Sequence, residues 1–376
     1  MPVAEEKNSS SLLTDAISVD PIDEALGNLL LRQSHTASYP FEGLPSRPYS
    51  AAMRYWLLFI SLGLMCVGCL DQSRSPKTLP DIIRPAEPNA AQVAEAEAQL
   101  SAIDDELQRA SSMPPAQRLQ HELTLESRLE RAWETSAGTR SENKALYYLA
   151  NWRYSYREGE GVDVLLDRLN GLASPARKNS GVRLRVLLLL RQGKVAEARV
   201  MAQALIAEVP EFSPVMERVT FHETIGAPAP KIVSRNLSGG PDEPISKRTE
   251  PWLFYVFVNV LDDASLFLLD RYLAALDVLP ADQRRVVCVT FESNLLSATS
   301  RLRSFPRAKE IDLLWASPGE NGNAKEWITV WKLPSQNPHI ALLGPGPDRT
   351  IMAVEVTPDN LRTLLIPNVP NVPNKK

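Results

Sequence analysis

Side chains that could carry out chemistry are few in this sequence. Its three cysteines are Cys66, Cys69 and Cys288, and the first two lie inside one apolar segment, so no disulfide framework can be drawn. The four histidines are far apart, with no Cys or Glu at ligand spacing: His35, His121, His222 and His339. A metal site would need a non-local assembly. The sequence has no P-loop, no Gly-x-Ser-x-Gly elbow and no His-Glu-x-x-His helix, and we predict neither a metal nor a cofactor.

The composition fits a folded protein with two modest domains. The chain has 376 residues, of which 44% are hydrophobic, and a formal net charge of -4. These values are not those of a disordered or fibrous chain. Because the net charge is mildly negative, there is no electrostatic case for nucleic-acid binding.

An export signal is predicted at residues 53–69. Met53 and Arg54 precede an uncharged apolar run that continues to Leu70. The run is shorter than the roughly 20 residues that span a membrane comfortably, but it fits the apolar region of a signal peptide behind a basic start.

The end of this run resembles the lipobox of bacterial lipoproteins. Gly68 and Cys69 match that motif, whereas Cys66 stands where a Leu is usual. The resemblance implies lipidation of Cys69 and a membrane-anchored protein in the bacterial cell envelope. Leu70 differs from the Asp of an inner-membrane retention signal, which favours the outer membrane. An uncleaved N-terminal anchor helix is the alternative.

Residues 1–52 and 70–88 are predicted to be a disordered leader and a linker. Both are polar, and the linker is rich in proline. A leader before an export signal is unusual, so we hypothesise that Met53 is the true start and that residues 1–52 are a gene-model extension. Detection of a peptide from residues 1–52 in the native cell would refute this.

A helical domain is predicted over residues 89–222. Helices are expected at 90–110, 116–136 and 141–157 from apolar residues at helical spacing. The third carries a cluster of aromatic residues that we interpret as core: Tyr147, Tyr148, Trp152, Tyr154 and Tyr156.

Residues 182–210 resemble one tetratricopeptide repeat. Gly193 supplies the turn between two helices, Ala198 the small residue at their crossing, and Pro210 the end of the unit. The resemblance implies a docking surface for a protein or peptide partner. A spacer is the alternative, and the sequence does not choose between them.

The last third of the chain alternates strands and helices. Apolar runs at 252–258 and 285–291 predict two buried strands joined by a helix with Leu266, Leu269, Leu273 and Leu276 on one stripe. Strands at 339–343 and 351–356 and a helix at 358–365 follow. The role of residues 300–334 stays open, as does whether Trp315, Trp327 and Trp331 line a groove or pack.

Residues 225–366 resemble a thioredoxin-like domain. The segment around Gly226, Ala227 and Pro228 is similar to the opening of envelope thiol-disulfide oxidoreductases and peroxiredoxin relatives, which continue into a short hairpin. Pro338, before the penultimate strand, matches the family's cis-proline by position. The family's cysteine pair falls at Asp262 and Ser265, in the sequence Asp-Asp-Ala-Ser.

The replaced pair cannot form a disulfide. Family chemistry needs a thiolate at a helix N-terminus, whereas Asp262 and Ser265 are both residues that accept hydrogen bonds from the free N–H groups of a helix start. Capping is the favoured interpretation, and an Asp-based catalytic or ion-binding role is the alternative. Cys288 is predicted to be a buried small hydrophobe.

The sequence therefore predicts an α+α/β protein, in which a helical-hairpin domain is followed by a thioredoxin-like domain with a mixed central sheet and, at 367–376, a disordered tail. The functional hypothesis is a binding or scaffold protein without redox chemistry. The alternative is a divergent thiol-disulfide oxidoreductase or peroxiredoxin-like enzyme that uses Cys288 or a partner's thiol.

Overall fold

The computed structural model describes residues 88–172, 174–238, 250–319, 322–335, 338–346 and 348–365. The predictions for the leader, the export signal with Cys69 and the C-terminal tail lie outside these residues. Within them, no helix combines the length and the apolar character needed to cross a membrane.

The first part of the described chain is helical. Its helices are α1 (Ala90–Ser111), α2 (Pro115–Leu123), α3 (Glu126–Ser136), α4 (Glu142–Tyr156), α5 (Val162–Leu172), α6 (Pro175–Arg191), α7 (Val195–Glu208) and α8 (Pro214–His222). The prediction of a single helix at 116–136 was wrong, because the helix is interrupted between α2 and α3. There the N–H and the hydroxyl of Thr124 both bond to the carbonyl of His121, at 3.0 and 2.7 Å, which replaces the regular helical ladder by a tight turn.

One apolar cluster fills the helical region. The aromatic side chains of α4 form part of it, as predicted: Tyr147, Tyr148, Trp152 and Tyr154 are buried, and Tyr156 packs against them. Gly193, with φ +75°, makes the turn between α6 and α7, a conformation that favours glycine. Ala198 is fully buried on α7. A helical hairpin is therefore present, and its likeness to a tetratricopeptide repeat stays a prediction.

The second part of the described chain contains one mixed sheet of six strands. The strands are β1 (Arg235–Asn236), β2 (Trp252–Phe257), β3 (Arg284–Thr290), β4 (Ile311–Trp315), β5 (His339–Leu343) and β6 (Ile351–Val354). Their order across the sheet is β1-β4-β3-β2-β5-β6. Strands β2, β3 and β4 are parallel, and the other pairings are antiparallel.

Helices cover both faces of this sheet. The helices of this part are α9 (Asp263–Leu276), α10 (Leu295–Arg303), α11 (Ala324–Trp331) and α12 (Pro358–Leu365). Apolar residues of α9, α10 and α12 share one core with the sheet, and α11 shares the other with Phe221 of α8. A mixed sheet between two helical layers fits a thioredoxin-like α/β domain.

Residues 300–334 take part in the sheet and its packing. They contribute strand β4 and helix α11. Trp327 and Trp331 of α11 are fully buried in the core between this helix and the sheet. These two tryptophans therefore pack in the core and do not line an open groove.

One local prediction differs from the structure, and another is only partly covered by it. Strand β6 ends at Val354 and not at residue 356, because Glu355 adopts a left-handed conformation with φ +52°. In the opening segment of the thioredoxin-like region, Pro228 forms an isolated bridge with Thr350. Strand β1, which follows, pairs antiparallel with β4. The rest of the predicted opening hairpin, after Ser238, lies outside the described residues.

Candidate functional site

The predicted site residues lie at one edge of the sheet. Strand β2 ends at Phe257, which pairs with His339 at the start of β5. Pro338 therefore lies beside the chain that leaves β2 and enters α9 at Asp262. The structure thus places Asp262, Ser265 and Pro338 at the carboxyl end of the parallel strands, where α/β sheets commonly hold their sites.

Asp262 is the N-cap of α9. Its Oδ1 accepts a hydrogen bond from the N–H of Ala264 at 3.4 Å, and its Oδ2 accepts one from the N–H of Ser265 at 3.0 Å. Both carboxylate oxygens are therefore engaged by the helix start, which is the capping role favoured from the sequence.

Ser265 does not cap the helix, and the prediction that it would was wrong. It lies inside the first turn of α9, and its hydroxyl donates to Oδ2 of Asp262 at 2.9 Å. The side chain is buried. The two positions where the resemblance places cysteines are thus in direct side-chain contact.

Removal of the cap should weaken the protein measurably. We expect Asp262→Ala to lower the free energy of unfolding by about 1 kcal/mol, because two N–H groups of α9 lose their acceptor. Urea denaturation followed by circular dichroism measures the change. Asp262→Asn is the matched control and should stay close to wild type, because an amide oxygen also caps. Equal losses in both variants would contradict the capping role.

Cys288 lies in the middle of β3 and is fully buried. Its strand neighbours are Val256 of β2 and Leu313 of β4, and burial raises the pKa of its thiol to about 12. Because the thiolate is the reactive form, this side chain is a poor nucleophile at neutral pH. The prediction that it is a buried small hydrophobe is confirmed.

The native protein should therefore shield Cys288 from thiol reagents. In a full chain carrying Cys66→Ser and Cys69→Ser, we expect no reaction with Ellman's reagent at pH 8 and one equivalent of thiol after denaturation in guanidinium. The Cys288→Ser variant of the same chain is the blank. Rapid labelling of the native chain would show that β3 opens or that the strand is exposed.

Comparison with known proteins gives low similarity in both sequence and structure. No family model matches the chain, and no curated protein matches it. The thioredoxin domain of a thiol-disulfide oxidoreductase from Bacteroides vulgatus is 15% identical with a TM-score of 0.33, over 39% of this chain and 98% of that one. A thiol:disulfide interchange protein from Bacteroides sp. is 16% identical with a TM-score of 0.32, over 40% and 93%. A thioredoxin-like protein from Bacteroides caccae is 15% identical with a TM-score of 0.34, over 77% and 99%.

A buried charged cluster lies at the same edge of the sheet. Glu355, which follows β6, meets Arg218 and His222 of α8 and His339 of β5. Its Oε1 is 3.2 Å from Nη2 of Arg218 and 3.3 Å from Nδ1 of His339, and its Oε2 is 3.1 Å from Nε2 of His222. All four residues are buried. We call these four residues the Glu355 cluster.

The Glu355 cluster keeps its carboxylate ionised. Burial alone would raise the pKa of Glu355, but the charge of Arg218, the hydrogen bond with His222 and the close approach of His339 outweigh burial and hold that pKa well below its usual range. The guanidinium of Arg218 against the carboxylate also disfavours a bound cation. Among the described residues, no group of three or more His, Cys, Asp or Glu side chains could hold a metal ion.

Sequence reasoning missed this cluster because its members come from distant segments. His222 and Glu355 are 133 residues apart, so no spacing connects them. One signal was present: Glu355 is a lone charge in the apolar run from Ile351 to Val356. A charge in such a run must be paired when it is buried. Two of its partners are His222 and His339, which lie far apart in the sequence.

Proposed function

We propose that this chain is an envelope-anchored binding or scaffold protein whose thioredoxin-like domain does not exchange thiols and whose helical region docks a protein or peptide partner. The observation that carries the proposal is the start of α9. Where a thiolate would stand, Asp262 directs both carboxylate oxygens to the helix and to Ser265. An aspartate cannot form the mixed disulfide on which exchange depends.

The burial of Cys288 supports the same proposal. It is the one cysteine within the described residues, and it is enclosed between strands with a raised pKa. Exchange through this thiol would require β3 to separate from its neighbours.

Exposed apolar side chains at the edge of the sheet that holds Asp262 support a binding role. Leu261 precedes the cap and is 43% exposed, and Leu296, at the start of α10, is 84% exposed. Both follow parallel strands of the sheet at the edge that holds Asp262. Apolar surface at such an edge favours contact with a partner.

Thiol exchange by the full chain tests the proposal. We expect the wild type and Cys288→Ser to be inert in the reduction of insulin by dithiothreitol, and Asp262→Cys combined with Ser265→Cys to be active, because the two side chains already touch at the helix start. The same variants with Cys66→Ser and Cys69→Ser remove the N-terminal thiols from the readout. Activity of the wild type that is lost in Cys288→Ser would overturn the proposal and identify an enzyme.

The envelope anchor is tested separately. Incorporation of radiolabelled palmitate into the chain expressed in a diderm bacterium should be lost in Cys69→Ser and kept in Cys66→Ser, because the lipobox resemblance assigns only Cys69 as the acceptor. Labelling that survives in Cys69→Ser would exclude that acceptor. An unlabelled wild type that stays in the membrane fraction would indicate the uncleaved anchor helix.

A further inference from the structure

Three arginines of the helical region lie at or below its surface without a full set of partners. Arg191 and Arg218 are at least nine-tenths buried. Nε and Nη2 of Arg191 and Nη1 of Arg218 have no hydrogen-bond partner. Among the described residues, no carboxylate pairs with the third, Arg183. Because a buried, charged N–H group without an acceptor is costly, these groups are suited to donate hydrogen bonds to a ligand.

Tyrosines of α4 position the arginines of α6. The guanidinium carbon of Arg191 is 3.6 Å from the centre of the Tyr154 ring, and Nη1 donates to the carbonyl of Tyr154. A similar stacking contact joins the same two helices near the start of α6, where the guanidinium carbon of Arg177 is 5.0 Å from the centre of the Tyr147 ring. Stacking on a ring fixes the plane of a guanidinium, and in Arg191 it leaves Nε and Nη2 without an acceptor.

Arg183 is the most exposed of the three arginines. Its side chain is only partly exposed, and desolvation lowers its pKa, with the positive charge of Arg218 acting in the same direction. An anion that reaches the two buried arginines would therefore meet Arg183 first. Helix α8, which carries Arg218, contacts α6, which carries Arg183 and Arg191, and the two helices share one apolar cluster. In keeping with this packing, the charge of Arg218 also contributes, after desolvation, to the lowered pKa of Arg191.

Among the described residues, the carboxylates that act on these three arginines do not balance their charge. Glu355 faces Arg218 but is shared with two histidines, and Glu158 acts on Arg191 only at a distance. We propose that Arg183, Arg191 and Arg218 form a binding site for an oxyanion, a carboxylate or a phosphate, that enters past Arg183. The planar forks of guanidinium groups match both kinds of anion. The inference is independent of whether the thioredoxin-like domain exchanges thiols.

Calorimetric titration of the full chain at low salt, where charge screening is weak, tests the site. The probes are inorganic phosphate, N-acetyl-L-alanine as a free carboxylate, and N-acetyl-L-alaninamide as its uncharged control. We expect saturable binding of phosphate or of the carboxylate and none of the amide. Phosphate alone would assign a phosphate ligand, and the carboxylate alone a ligand such as a chain terminus. No saturable binding of either anion would overturn the proposal.

Variants on α6 locate the site. Arg183→Gln should weaken binding at least tenfold, and Arg183→Lys should weaken it less, because it keeps the charge but loses the fork. Arg185→Gln is the matched control on the same helix, since Arg185 already donates to Asp167 at 2.6 Å, and it should bind as wild type does. Thermal unfolding of each variant confirms folding. Equal weakening in Arg183→Gln and Arg185→Gln would overturn the proposal.

Discussion

Replacement of Glu355 by Gln is expected to lower the free energy of unfolding by about 3–5 kcal/mol, since removing one partner of a buried ion pair leaves the other charge uncompensated. Arg218 would lose the carboxylate 3.2 Å away and stay buried with its charge. The amide of Gln can still accept a hydrogen bond but carries no negative charge. Urea denaturation at pH 7 measures the change.

Asp359→Asn is the matched control for that experiment. Asp359 pairs with Arg271 at 3.0 Å, but its side chain is 80% exposed, and exposed ion pairs contribute about 0–1 kcal/mol. The double variant Arg218→Met with Glu355→Leu should be more stable than Glu355→Gln, because no buried arginine is then left without its carboxylate. A loss below about 0.5 kcal/mol in Glu355→Gln would show that the Glu355 cluster is open to water.

The Glu355 cluster should also make the protein sensitive to acid. Because the pKa of Glu355 is lower in the folded chain than its ordinary value of 4.5, its contribution is fully present above that value. The contribution is lost as the pH falls from 4.5 towards the lower folded value. The difference in unfolding free energy between wild type and Glu355→Gln should therefore be constant near pH 7 and shrink below about pH 4.5. A difference that grows on acidification would contradict the depressed pKa.

Trp327→Ala is expected to lower the free energy of unfolding by about 3–5 kcal/mol, the range for truncation of a buried aromatic residue. The ring is fully buried and stacks at 6.2 Å on both Tyr255 and Trp331. Its Nε1 donates to Oγ of Ser234 at 2.7 Å, so the serine hydroxyl would also lose a partner. Thermal and urea unfolding measure the loss.

Ile328 is the matched control for Trp327, because it is the next residue of α11 and is 45% exposed. Ile328→Ala should change the free energy of unfolding much less than Trp327→Ala. A larger effect at Ile328 would indicate that this face of α11 is covered in solution.

The strands and the helices of the last third were predictable because their apolar patterns are local. Strand β5 begins and ends as predicted, β2 ends one residue earlier than predicted, and β3 begins and ends one residue earlier. The uninterrupted apolar run of β2 reflects burial on both faces. The leucine stripe of α9 likewise points to one core, where Leu266, Leu269, Leu273 and Leu276 are buried.

What the sequence did not reveal depends on tertiary contacts or on competing local bonds. The break after α2 arises from the bonds of Thr124 to one carbonyl, although the apolar spacing continues through it. Ser265 donates and does not accept, because Asp262 already occupies the cap. The Glu355 cluster needs α8 and two strands to meet, and no pattern within any one of them encodes that meeting.

Helix α8 limits where this chain could be recombined with another. Val219 belongs to the core of the helical region, and Phe221 belongs to a core of the sheet. His222 forms a hydrogen bond with the carboxylate of Glu355. A chimaera joined before α8 would separate Val219 from its core, and one joined after α8 would separate Glu355 from His222 and Arg218. The nine residues of this helix therefore constrain the helical region and the sheet together. A chimaera that exchanges one of them must keep a helix that packs in both cores and pairs with Glu355.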